Sequence, residues 1–127
     1  MEKLRARQRE WAATPLRERL QVIRALRTSL PAMQDAFATA LQADIRKPLG
    51  ETIAAELLPV AGACQFLEKR AAGILRPRKI SFFDTPNWLF GEKDIITRKP
   101  RGIVGIIGTW NYPLFLNGVQ LVHALTA

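Results

Sequence analysis

Apolar residues recur at steps of three and four along residues 16–75, and after residue 79 the period shortens. Leu16, Leu20, Ile23, Leu26 and Leu30, with Arg17, Arg24 and Arg27 between them, predict one amphipathic helix. Thr14 is placed to cap it and Pro15 suits its first position. Pro31 marks a break, after which Met33, Phe37, Leu41 and Ile45 keep a four-residue step until Lys47-Pro48-Leu49-Gly50 forces a turn. A third helix, about residues 51–75, carries Ile53, Leu57, Val60, Cys64, Leu67, Ala71 and Ile74 on its apolar stripe, and Pro59 is expected to kink it.

Short strand-like pieces follow at 80–83, 88–90 and 95–98, separated by Asp84-Thr85-Pro86-Asn87 and Gly91-Glu92. They read as a hairpin or small projecting sheet. Phe82, Phe83, Trp88 and Phe90 crowd there, and a hairpin of that size cannot bury them by itself, so they are expected to pack on the helices or on another subunit. Residues 102–108, apolar on both faces, predict a fully buried strand of the parallel kind. Residues 112–126 then predict a helix with Pro113 in its first turn. Helices, a strand pair and a strand-loop-helix define an α/β fold class, at the entry to a doubly wound sheet. The expected division is a helical part over 1–76, the hairpin over 77–100 and the start of the sheet over 101–127.

At 127 residues and 48% hydrophobic content the chain can bury one core, and nothing in it points to disorder. No apolar run approaches the ~18 residues that span a bilayer. The start lacks the hydrophobic centre of a secretory signal, and Glu2, Glu10 and Glu18 interrupt an otherwise presequence-like arginine content. No membrane span is expected, and a cytoplasmic location is. The single cysteine rules out an intrachain disulfide, the single histidine rules out a site built on a histidine pair, and no metal site is expected. Cys64 lies on an apolar stripe and reads as a small buried hydrophobe rather than a nucleophile. His123, without a carboxylate close in sequence, reads as a packed or partly exposed helix residue and not a base.

The net charge of +8 is uneven. Residues 1–30 carry eight Lys/Arg against three Glu, residues 31–77 five against five, and residues 78–127 six against three. A basic end can bind nucleic acid or anionic lipid, whereas arginine on a polar helix face is commonly just solvated. A nucleic-acid-binding protein is one alternative reading. No recognised nucleic-acid fold or basic-aromatic stacking pattern accompanies the charge, so no nucleic acid partner is expected.

Ligands of open α/β sheets bind beyond the carboxyl ends of the strands, which is where residues 109–112 fall. Gly102, Gly105 and Gly108 stand three apart and do not make a phosphate-binding fingerprint; they leave room for backbone or a flat ligand to approach. Asn111 has an amide with two donors, suited to an oxygen that turns negative as a nucleophile adds to a carbonyl. The same side chain could instead cap the following helix, and both roles stay open on chemistry alone.

The segment "KPRGIVGIIGTWNYPLFL", residues 99–116, resembles the strand-loop-helix of the NAD(P)-dependent aldehyde dehydrogenase superfamily. Its Gly-Thr-Trp-Asn-Tyr-Pro form, residues 108–113, resembles the class 3 branch. The helical start, the Lys47-Pro48 turn, the long helix after it and the aromatic strand region follow that family's order. The resemblance implies that Asn111 donates to the oxyanion of the thiohemiacetal formed when a catalytic cysteine attacks the aldehyde. It implies that Ile107, Gly108, Thr109 and Trp110 line the pocket for NAD or NADP, largely through backbone, and that Tyr112 begins the wall of the substrate tunnel. Tyr112, Phe115, Leu116 and Val119 share one helix face, which extends that wall or forms buried core. In the family the nucleophilic cysteine, the general-base glutamate and the glycine-containing cofactor loop come after this motif. The chain is therefore expected to be the amino-terminal part of an enzyme, inactive alone, whose complete form acts on a small-molecule aldehyde as a homodimer or higher oligomer. The alternative is a non-catalytic interaction module that associates through the aromatic strands.

Overall fold

A computed structural model describes residues 2–81, 83, 86–89 and 91–127. Helix α1, Glu2–Ala13, precedes the first apolar stripe; none of its residues is buried, and it is tied down through half-buried Trp11, whose Nε1 donates to the Leu125 carbonyl at 2.8 Å. Helix α2, Leu16–Ser29, follows the predicted stripe and buries Ile23. Thr14 does not cap α2 with its side chain. Its hydroxyl donates back to the Glu10 carbonyl at 3.0 Å, while the Pro15 carbonyl takes the Glu18 and Arg19 amides.

Pro31–Met33 form a 3₁₀ turn, and α3, Gln34–Ile45, buries Leu41. It stops at Arg46, which adopts the left-handed conformation with φ 55° and leaves Lys47, the next residue, buried. For a side chain other than glycine that conformation costs about 1–2 kcal/mol. A single turn, α4 (Leu49–Glu51), runs through a π-helical stretch, Thr52–Leu57, into α5, Leu58–Leu75. At Pro59 the departure from the α-helix takes this form. Proline has no N–H and its ring crowds the carbonyl four residues back, here that of Ala55, and the Leu58 amide reaches back to Ile53. The stripe of α5 buries Val60, Cys64, Leu67 and Ala71, which join Ile23, Leu30, Leu57 and Val122 in the core.

Two strands pair antiparallel, β1 (Arg78–Lys79) and β2 (Ile95–Ile96), with Arg78 opposite Ile96 and Lys79 opposite Ile95. The hairpin expected from the sequence is present, earlier and shorter than predicted. Asn87–Leu89 is a 3₁₀ turn, so Trp88 and Leu89, read as the start of the strand piece over 88–90, are not strand. Phe83 and Trp88 are 93% and 85% exposed, so these two do not bury themselves on the helices. Phe82 and Phe90 lie outside the described residues.

Residues 102–108 are the main difference from expectation. They form no strand ladder, and Ile107 is 95% exposed. A parallel strand exists only between neighbours that satisfy its backbone, and the two described strands pair with each other. The last helix, α6, is Phe115–Thr126, with the Leu116 amide bonded to the Tyr112 carbonyl, so the helical turn begins where the sequence placed it. It packs on α5 and α2 through Val119, Val122 and Leu125, and Gly118 lies where a Cβ would stand 3.1 Å from Val60. Arg19 Nη1 donates to the Thr126 carbonyl at 2.9 Å and, with Trp11, satisfies the carboxyl end of α6. No helix among the described residues is long and apolar enough to cross a membrane.

Candidate functional site

Three elements meet at the amino end of α6: the turn after α3, the π-helical stretch and the loop over residues 108–114. Lys47 comes from the first. Its ammonium donates to Glu56 Oε1 at 2.6 Å and to the Asn111 carbonyl at 2.9 Å, and it lies 3.9 Å from the centre of the Tyr112 ring. Glu51 Oε1 stands 3.7 Å away. Glu56 comes from the second and is wholly buried. Its other oxygen, Oε2, accepts the amides of Leu114 at 3.1 Å and Phe115 at 2.7 Å. Those are orphan N–H groups of a helix start, and a carboxylate there also answers the positive end of the helix dipole. Glu56 thus caps α6 from another element.

That arrangement decides which local bonds Asn111 makes. Its backbone carbonyl is held by Lys47, and α6 starts with no side-chain cap of its own. The Asn111 side chain is exposed and makes no hydrogen bond among the described residues. Upstream, Asn117 from the first turn of α6 folds back on the loop: the Thr109 amide donates to its Oδ1 at 3.1 Å and its Nδ2 lies 3.4 Å from the Thr109 carbonyl. Asn117 approaches Gly108 so closely that a Cβ there would sit 2.7 Å from Nδ2. The close approach expected at the glycines is made at Gly108 by a side chain of this chain, whereas a Cβ added at Gly105 would meet nothing within 4 Å.

Of the residues singled out by sequence, Asn111, Tyr112 and Thr109 are brought together at the loop, with Ile107 and Trp110 projecting outward, Trp110 79% exposed. Phe115 and Leu116 are half-buried on α6. Val119 lies on the same helix but packs against the core. His123 is exposed, its ring stacked on Phe66 with centroids 6.5 Å apart and Nδ1 2.8 Å from the Val119 carbonyl. Cys64 is fully buried in the first half of α5, and burial, seconded by the Glu68 carboxylate, pushes its thiol pKa up, the opposite of what a nucleophile needs. Glu56 and Asn117 were missed: a lone acid on a helical stripe and an asparagine in a helix carry no spacing that marks them.

The aldehyde dehydrogenase family model matches residues 1–127. The chain belongs to the aldehyde dehydrogenase family. Among curated relatives it is 31% identical, over 117 residues, to a 4,4'-diapolycopene aldehyde oxidase of Methylomonas sp, aligning 92% of this chain with 22% of that protein. It is 31% identical over 124 residues to a putative succinate-semialdehyde dehydrogenase [NADP(+)] 2 of Mycobacterium ulcerans (97% of this chain, 23% of the relative). It is 33% identical over 134 aligned residues to a probable coniferyl aldehyde dehydrogenase of Pseudomonas aeruginosa (100% and 27%). This family member thus spans about a quarter of the length of the curated relatives it matches.

Proposed function

We propose that this chain is the amino-terminal part of an NAD(P)-dependent aldehyde dehydrogenase and that Asn111 supplies the oxyanion donor. The observation that carries the reading is the division of labour at the start of α6. Glu56 caps the helix and Lys47 takes the Asn111 carbonyl, which leaves the Asn111 amide unengaged and facing solvent. Its Nδ2 hydrogens can then meet the aldehyde oxygen as a thiolate adds to the carbonyl carbon. The nucleophilic cysteine and the general base belong to the part of the enzyme that the family resemblance puts after this motif; a thiohemiacetal is the product of that attack.

The nicotinamide cofactor, when bound, accepts the hydride. The residues fit it as backbone contacts: among the described residues, 103–108 make no backbone-to-backbone hydrogen bond, and the exposed Trp110 indole flanks them. Ile107, Gly108, Thr109 and Trp110 would hold it. Tyr112, Phe115 and Leu116 line the substrate side, with Val119 behind them in the core. Among the relatives' names, one carries NADP(+), and they speak of succinate semialdehyde, a diapolycopene aldehyde and coniferyl aldehyde; the substrate class proposed for the complete enzyme is a small-molecule aldehyde. Residues 102–108 become a strand of a doubly wound sheet in the complete protein, which is the reading their two-sided apolar pattern supports.

Replacing Asn111 with Ala in the full-length protein should lower the acylation rate about 10²–10³-fold, the usual consequence of losing one oxyanion donor. Cofactor affinity, read by fluorescence titration, should hardly change. Near-wild-type turnover in that variant would defeat the assignment. The exposed Phe83 and Trp88 favour assembly of the complete enzyme as a homodimer or higher oligomer. They also keep alive a second reading, an interaction module that associates without nucleotide, which the same titration separates.

A further inference from the structure

Lys47 and Glu56 are the most deeply buried opposite charges of the described residues, with side chains 5% and 0% exposed. An apolar pair of similar volume usually serves stability as well as a buried ion pair does, because both charges lose their hydration. Their placement points to a different use. The pair is inserted across residues 111–115 from both sides: the ammonium takes the carbonyl of Asn111, and the carboxylate takes the amides of Leu114 and Phe115. Between those anchors the Tyr112 ring rests on the ammonium. Both ends of the peptide run that carries Asn111 are therefore bonded to one salt bridge, and that bridge is fixed by two other elements.

We infer that Lys47 and Glu56 are positioning residues, which set the backbone of Asn111 so that its amide projects at a fixed place and angle. The inference rests on the reading of Asn111 as oxyanion donor. An amide on a free loop samples many positions, whereas a donor preorganised before the reaction costs no reorganisation when charge develops. A misplacement of about 1 Å can cost ~10²-fold in rate. Lys47 does this through the carbonyl on the far side of the Asn111 α-carbon from its own N–H; Glu56 does it by pinning the helix that follows.

The test is a double-mutant cycle in the full-length protein with Lys47→Met and Asn111→Ala, each assayed for acylation rate and for cofactor KM. Lys47→Met alone should lower the acylation rate about 10–10²-fold with cofactor KM unchanged, and should lower it no further when Asn111 is already Ala, because the two act through one donor. Lys47→Arg, which keeps the charge, should recover part of the loss. If the two losses multiply, the inference falls while Asn111 keeps its role. If Asn111→Ala alone costs nothing, the oxyanion reading falls, and the inference with it.

Should Lys47→Met fail to fold, Glu56→Gln gives the second measurement, since it keeps the shape and one acceptor oxygen. Hydrogen exchange read on peptides covering residues 110–118 should quicken in Glu56→Gln while peptides from α2 and the later turns of α5 exchange as in the parent. Unchanged exchange over 110–118 would overturn the inference without any appeal to activity.

Discussion

The Gly108 and Asn117 pair shows how one missing carbon shapes a loop. The Asn117 amide engages the Thr109 backbone where a neighbouring strand would otherwise do so, and it reaches that position only because Gly108 has no side chain. Gly108→Ala would put a Cβ 2.7 Å from Asn117 Nδ2, so the amide must leave Thr109. The expected cost is about 1 kcal/mol, the net worth of a hydrogen bond in this setting, or roughly 4 °C in melting temperature for a domain of this size. A thermal melt of Gly108→Ala that overlays the parent would show that the clamp contributes nothing. The sequence marked Gly108 as a place of close approach and could not say what approaches. An asparagine nine residues on is neither periodic nor apolar, and contacts of that kind appear only when the chain is folded.

The helices were legible because their pattern is redundant. Several apolar residues on one stripe, such as Val60, Cys64, Leu67 and Ala71, all point to the same face, and losing one would not have hidden the rest. Helix α1 has no such stripe, being largely polar and anchored by one indole, and so it was seen only as a basic start. Between α2 and α5 the sequence left one further bond unread. Arg27 and Glu68 meet in a two-point contact of 2.6 and 3.1 Å. The guanidinium, first by its hydrogen bond and then by its charge, holds the Glu68 carboxyl below its ordinary pKa. A depressed folded-state pKa means that the contribution is fully present above the unfolded value and is lost as pH falls through the folded one. The stabilities of the parent and Glu68→Gln, measured by urea titration, should differ at neutral pH and converge from about pH 4 downward. A constant difference across that range would show that charge is not what the contact supplies.

Taken whole, the molecule is a helical body with an unsatisfied rim. Residues 102–108 read in sequence as a buried strand, yet Val104 is half exposed and Ile107 and Trp110 lie almost bare. The pattern described an environment that the two strands among the described residues do not supply, since a parallel strand is defined by partners remote in sequence. An uncovered apolar segment with free backbone groups recruits other chains. The isolated chain should therefore gain mass with concentration in sedimentation velocity, and Ile107→Lys should suppress that gain with no loss of helix content by circular dichroism. Concentration-dependent mass that is the same in both would place the association elsewhere, with Phe83 and Trp88 the next residues to change.

The π-helical stretch Thr52–Leu57 has a consequence for how this region tolerates change in length. Each of its bonds encloses one residue more than an α-helical turn does, so the segment is keyed to counting as well as to composition. Removing Ala54 or Ala55 would delete a methyl-bearing residue of no chemical interest and improve the regularity of the helix. The residue lost is the one the wide turn holds in excess, so the helices on either side keep their relation while the side chains inside the stretch, that of Glu56 among them, change direction. A one-residue deletion among alanines is therefore equivalent to removing a buried acid, and two sequences that differ there by a single gap need not present Asn111 in the same way.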